Sequence, residues 1–358
     1  SIADPFLPNK VREGRNDDIR ECIGCNICIA SWHDGVPVRC TQNATAGEEW
    51  RRGWHPERFT RTETPDSLLV IGGGPAGLEA ALVAAKQGFE VTIAERADDW
   101  GGRVLQESQL PGMATWRRVR DYRVWALSQM GNVSMFTNSE LDAEAAISFG
   151  ADHIAVATGA RWTRRLYSAL EIAVAPLDHP QVYTPEDVYS GTVLGDRVLI
   201  FDYDNYYLGG VLSEHLAAQG KTVTYATPAG HASAWTFMTN ELPFVYQALA
   251  RRGVDIHTTT NLMGFDGASA AMQNLFNATP LEIDVDSIVI VGHRESRDAV
   301  FEALVASEPV GGVQPSLHLV GDALAPGAIV HAVHSGHAFA RGLVDEETIY
   351  LRDEPIVP

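Results

Sequence analysis

The 358-residue chain has no cysteine beyond position 40. Its whole complement is four, at Cys22, Cys25, Cys28 and Cys40. Cysteines so few and so bunched do not suit a secreted disulfide framework, which belongs to short chains. No apolar run approaches the roughly 20 residues of a membrane span, so no membrane is expected as a partner. Positive charge is also short, with 27 Lys+Arg against 46 Asp+Glu and a net charge of −19. A chain of that sign is a poor match for nucleic acid. No nucleophile–base constellation stands out, so no residue is assigned a catalytic role. The histidines His331, His334 and His337 share a helical face by their spacing and read as packing or capping residues.

What is present begins with the cysteines. They follow C-x2-C-x2-C-x11-C in the run ECIGCNICIASWHDGVPVRC. Three thiols in two tight steps and a fourth returning from a loop can wrap a [4Fe–4S] cluster. Gly24 lets the backbone turn tightly there. Structural zinc is the alternative, although it usually takes two separated C-x2-C knuckles. Reduced, clustered thiols fit a cytoplasmic compartment. The preceding DDIREC is expected to form a short helix. RRGWHPERFTRTETPD, with its prolines and alternating charge, reads as a linker.

The texture changes at residue 66. SLLVIGGGPAGLEAALVAAKQGFEVTIAER reads as buried strand, glycine turn, helix and second strand, the βαβ pattern of a parallel sheet. Gly72, Gly74 and Gly77 form G-x-G-x-x-G in the strand–helix context the motif needs, with Pro75 and Ala76 between. Gly72 makes the turn, Gly74 admits a pyrophosphate, and Gly77 lets helix and sheet approach. The phosphate would sit on the helix N-terminus. Glu95, ending the second strand, is placed to hold a ribose diol. Gly102 and Arg103, then Thr158, then Asp322 after a late strand complete the set. Arg103 is either a phosphate partner or a solvated surface arginine. In this order the fragments resemble the disulfide-reductase-like flavoproteins with two dinucleotide domains.

A second βαβ unit follows at RVLIFDYDNYYLGGVLSEHLAAQG and KTVTYATP, but its glycines are missing. Phe201-Asp202-Tyr203-Asp204-Asn205-Tyr206-Tyr207 stands where the turn should be. Bulky side chains and two acids there oppose a dinucleotide, so NAD(P)H is not expected at this site. The fold class is therefore α/β: a cluster segment, then two Rossmann-like domains of the FAD/NAD-linked reductase type, the second inserted in the first. Expected boundaries are 1–65 for the cluster segment and linker, 66–162 with 310–358 for the first Rossmann domain, and 163–309 for the insert. ATWRRVRDYRVW, residues 114–125, reads either as a docking patch for an electron acceptor or as an amphipathic helix with a charged face.

SIADPFLPNK, DDIRECIGCNICI, CTQNATAGEEWRRGWHPERF and GGGPAGLEAA closely resemble the trimethylamine, dimethylamine and histamine dehydrogenases, iron–sulfur flavoproteins related to 2,4-dienoyl-CoA reductase. The resemblance runs along essentially the whole chain and is weakest in the inserted domain. It implies a C-terminal portion of such an enzyme without its FMN-binding TIM barrel, which would be a separate subunit or part of a longer chain. It also implies Cys22, Cys25, Cys28 and Cys40 as [4Fe–4S] ligands and ADP, or FAD, at the first nucleotide site. The implied partners are the FMN barrel, an electron-transfer flavoprotein and further copies in a homo-oligomer. The implied reaction is oxidative N-demethylation or deamination of a small amine. Two alternatives stay open: an NAD(P)H-dependent enoate reductase portion, which needs an intact second glycine motif, and a non-catalytic nucleotide-binding scaffold.

Overall fold

The computed structural model describes residues 1–166, 177–307 and 314–345. Two compact units emerge. The first comprises Ser1–Gln109, Met113–Ala160 and the chain from Ser296 onward; the second comprises Leu110–Gly112 and Arg161–Glu295. The boundary expected at residue 310 lies outside the described residues.

The first unit is built on a five-stranded parallel sheet. Its spatial order is Ser316–Leu319, His153–Val156, Ser67–Ile71, Glu90–Ala94, Val133–Phe136. Leu68, Leu69 and Val70 on the central strand are fully buried, as a strand covered on both faces must be. The helix Pro75–Gln87 covers the sheet. Proline at its start supplies a preset φ, and Gly88 at φ +100° ends it in the left-handed conformation. The helix Ile329–Gly342 packs directly across it. Gly336 makes that approach possible, because a Cβ there would run into the Ala76 carbonyl. The strand order reverses between Ser67–Ile71 and His153–Val156. Ligands of open α/β sheets bind outside the carboxyl ends at such a point.

Residues 1–65 belong to this unit and depart from the sequence reading in two places. DDIREC is not a helix: a single 3-10 turn covers Asn16–Asp18, and Ile19 is already extended. The cause is the buried carboxylate of Asp4. It accepts the Arg20 amide at 2.9 Å and the Lys10 ammonium at 2.8 Å, which holds Arg20 out of a helical path. The helix comes later, at Ile27–His33, and carries Cys28. The expected linker is not a free tether either. Trp54 is buried among His334, His337 and the Arg341 guanidinium.

The second unit has its own parallel sheet, ordered Val182–Tyr183, Ser287–Val291, Arg197–Asp202, Thr222–Ala226, Asp255–His257. A three-stranded antiparallel sheet, Thr260–Phe265, Ser269–Asn274 and Pro280–Asp284, follows. Sequence inspection missed it. Its strands TNLMGF, SAAMQN and PLEID contain few β-branched or aromatic residues and so carry little β signal, and pairing with neighbours decides their state. No helix among the described residues is long and apolar enough to cross a membrane.

Candidate functional site

The glycine turn is dictated by close packing. Gly72 has φ +111°, and a Cβ on it would strike the Ala157 carbonyl at the end of the adjacent strand. A Cβ on Gly77 would strike the Gly72 carbonyl, so helix and turn touch only because residue 77 is glycine. Gly74 differs: a Cβ there meets nothing within 4 Å. Open space thus adjoins the start of Pro75–Gln87, which has no side-chain cap. Uncapped amides and the helix dipole suit an anion at this position. Pro75 opens the helix, and Ala76 is buried against Gly321 and Gly336.

Glu95 is 8% exposed and accepts the Gly73 amide at 2.7 Å and the Ala97 amide at 2.9 Å. It braces the turn, and each carboxylate oxygen keeps a second lone pair for a ribose hydroxyl. Gly102 caps the short helix Arg103–Glu107 in a conformation open to glycine, φ +53° and ψ −133°, and lies beside Gly74. Arg103 pairs with Glu107 at 3.0 Å and with Asp322 at 3.5 Å, so it is not simply a solvated arginine. Asp322 also accepts the Gly327 amide at 3.0 Å. The Thr158 hydroxyl donates to the Arg297 carbonyl. The tertiary fold therefore gathers Arg103 and Asp322, which lie far apart in sequence, into one ion pair.

The four cysteines are all free thiols. Cys22 is exposed and the others are partly buried. Burial pushes the Cys25 thiol up to about 11, against the Thr41 hydroxyl 3.1 Å away; neighbouring Cys40 and Cys22 push the same way. Burial also raises Cys40, and Cys22 contributes there too. Backbone amides point at the sulfurs: Gly24 N at Cys22 Sγ, 3.4 Å, Ile27 at Cys25, and Asn43 and Gln42 at Cys40. Among the described residues no three Cys, His, Asp or Glu donors converge on one point that a single ion could occupy. A cubane gives each iron its own thiolate, so its ligands need not converge. Amide donors around the sulfurs are the surroundings that tune such a cluster. The donor set fits that group.

A buried polar network adjoins both places, and sequence inspection missed it. Glu79, two residues after Gly77, pairs with Arg123 Nε at 2.7 Å and with His337 Nδ1 at 2.8 Å. Arg341 donates to His337 Nε2 at 3.0 Å and to the carbonyls of His55 and Arg58. Burial would raise the Glu79 pKa, but the Arg123 charge and the His337 hydrogen bond outweigh it and hold Glu79 far below the ordinary carboxylate range. Burial lowers His337 to about 4, leaving it neutral at pH 7. The available signal was an acid inside the apolar helix run GLEAALVAA. Of the other histidines on that face, His331 Nδ1 accepts the Ala328 amide at the helix start, and His334 lies 3.5 Å from Glu48.

In the second unit, Asp202 ends its strand fully buried. It accepts the Tyr225 hydroxyl and, at 3.0 Å, the Asn205 amide. A Cβ on Gly209, in the first turn of the helix Leu208–Ala218, would lie 2.5 Å from the Asp202 carboxyl. The protein's own carboxyl group thus sits at that helix start, and in the same turn Tyr206 packs edge-on against Tyr207 and Trp235. Burial, then the Asp204 charge, raises Asp202 to about 7 from an ordinary 3.8. A raised carboxyl favours folding below its unfolded pKa, and that benefit is lost as pH rises through about 7. Asp202→Asn is therefore expected to gain on the parent by about 1.4 kcal/mol for each pH unit between about 4 and 7. Chemical denaturation at pH 5 and pH 8 measures it, and a pH-independent difference would refute the assignment.

The family described as pyridine nucleotide-disulphide oxidoreductase matches residues 39–182, and the OYE-like second alpha/beta domain matches residues 183–277. Dimethylamine dehydrogenase of Hyphomicrobium sp. (strain x) is 35% identical over 381 aligned positions, covering 97% of this chain and 51% of that protein. The solved structure of histamine dehydrogenase from Rhizobium sp. 4-9 superposes with a TM-score of 0.92 at 38% identity, covering 98% of this chain and 56% of that one. That of 6-hydroxypseudooxynicotine amine oxidase from Pseudomonas geniculata N1 gives 0.91 at 41% identity, covering 95% and 51%. The chain spans about half the length of the relatives it matches.

Proposed function

Because the chain belongs to the family of trimethylamine, dimethylamine and histamine dehydrogenases, we propose that it is the electron-transfer portion of an amine dehydrogenase-like iron–sulfur flavoprotein. In this reading electrons released by oxidative N-demethylation or deamination of a small amine come from an FMN-bearing barrel and leave to an electron-transfer flavoprotein. Cys22, Cys25, Cys28 and Cys40 would hold a [4Fe–4S] cluster, which supplies one-electron transfer. The turn built on Gly72 and Gly77 would receive the pyrophosphate of ADP or FAD beside Gly74, and Glu95 the ribose. Gly102 would flank the phosphates, with the Arg103–Asp322 pair at the edge of the site.

The observation that carries the reading is the cysteine loop, whose sulfurs meet backbone amides inside the same unit as the glycine turn. The filled second turn supports an outward direction of electron flow over a nicotinamide-driven reductase, since Asp202 sits at the helix start that would take a dinucleotide phosphate. Two measurements on the anaerobically purified chain test this. Iron and sulfide analysis with EPR of the reduced protein should give a four-iron signal; zinc without that signal would sink the cluster. Chromatography of the extracted nucleotide should give ADP, or FAD with no reduction by NADPH. Reduction of the cluster by NADPH would favour the enoate reductase reading, and an empty first site the scaffold.

A further inference from the structure

The basic segment at residues 114–125 has a use that neither of its sequence readings contains. Thr115 Oγ1 donates to the Ile23 carbonyl at 3.0 Å. Arg118 donates through Nη1 to the Cys22 carbonyl at 2.9 Å and pairs through Nε with Glu21 at 3.1 Å. Arg123, with 0% exposure, donates to Gln42 Oε1 at 3.0 Å and to the Gln42 carbonyl at 3.2 Å. Gln42 in turn donates to the Glu21 carbonyl at 2.9 Å and to the Arg118 carbonyl at 3.2 Å. One nine-residue stretch therefore grips both arms of the cysteine loop: the arm holding Cys22 and Cys25, and the arm returning through Cys40. Arg123 also reaches Glu79 on the glycine-motif helix, so the grip ends on a rigid element.

We infer that Thr115–Arg123 is a clamp that sets the relative position of the two arms of the cysteine loop, with Arg118 and Arg123 as its positioning residues. The inference rests on the cluster reading for its purpose but on the hydrogen bonds alone for its existence. Local turns can place Cys22, Cys25 and Cys28, but they leave open where the arm returning through Cys40 lies, because a helix and a bend separate the two arms. Long-range hydrogen bonds fix that relation, as outer-shell groups orient the ligands of metal sites. The clamp supplies them from a separate part of the chain.

Charge-matched variants test the clamp in the full chain. Arg118→Gln removes a bond to the loop, whereas Arg117→Gln removes an equal charge one residue away that pairs only with Asp99 and Asp121 among the ion pairs seen. Thr115→Val and Gln42→Leu are the second and third probes. Hydrogen exchange of the amides of residues 21–28 should be tenfold faster or more in Arg118→Gln and Gln42→Leu, several-fold faster in Thr115→Val, and within twofold of the parent in Arg117→Gln. Release of iron to a chelator should follow the same order. Equal exchange in Arg117→Gln and Arg118→Gln would overturn the clamp. A chain that binds no iron would overturn the cluster reading, and exchange would still decide the clamp by itself.

Discussion

A Cys25→Ala variant is expected to lose the reduced-state four-iron EPR signal, with most of the bound iron and sulfide lost from the purified chain. Cys25 sits more deeply than Cys22, and its sulfur is ringed by the Ile27 amide, the Thr41 hydroxyl and its two neighbouring thiols. Alanine leaves one corner of a cubane without a ligand, in a place water reaches poorly. Each iron of a cubane takes one thiolate, so no spare cysteine can substitute: the chain has four. The apoprotein should still fold, because the parallel sheet of that unit packs on apolar contacts away from the loop. The measurement is iron and sulfide per chain beside the EPR spectrum, with circular dichroism to confirm folding. A full four-iron complement with an unaltered spectrum would remove Cys25 from the ligand set.

Glu79→Ala is expected to cost about 3–5 kcal/mol of stability at pH 7, because it strands the buried Arg123 charge. Arg123 keeps its bonds to Val119 and Gln42, but no anion would remain beside it among its hydrogen-bond partners seen here. The double variant Glu79→Leu/Arg123→Met should recover more than half of that loss, since two apolar chains need no pairing. If the double variant is instead as unstable as the single one, the cost arises from packing and from the buried His337 Nδ1 left without Glu79, and not from the stranded charge. The acid limb gives a second signature. Glu79 has a depressed folded pKa, so its stabilisation is present above the ordinary value of 4.5 and is lost as pH falls below it. His337, neutral in the fold down to about 4, takes up its proton more readily when unfolded, so stability already declines between about 6.5 and 4. Glu79→Ala should flatten the limb below pH 4.5. An unchanged slope there would place Glu79 outside the linkage.

The two glycine turns show how unevenly a sequence discloses a site. Gly72, Gly74 and Gly77 were legible because the motif and its strand–helix context lie within six positions; Gly77 answers a steric demand from Gly72 itself, Gly72 one from the distant Ala157 carbonyl, and Gly74 leaves open space beside the helix start. The failed second turn was legible for the same reason, as Tyr203, Asp204 and Asn205 stand where glycines are required. What Asp202 does there was not legible. An acid at a strand end reads as a repulsive charge; only burial under Tyr225 and against Gly209 makes it the occupant of that helix start. The antiparallel sheet from Thr260 to Asp284 was lost because its strands depend on one another and not on their own composition.

By itself, the sequence determined the α/β class, the two Rossmann-like units, the glycine turn and the cysteine spacing. All of these are written in local periodicity and in residue types that tolerate no substitute. The tertiary structure alone decided what surrounds them. Glu79 meets Arg123 and His337 across 44 and 258 residues of chain, and Gln42 meets Arg123 across 81. No periodicity encodes such pairs. A buried charge is stable only if the fold delivers its counter-charge, and that delivery depends on how helices cross, which is settled by packing over the whole unit.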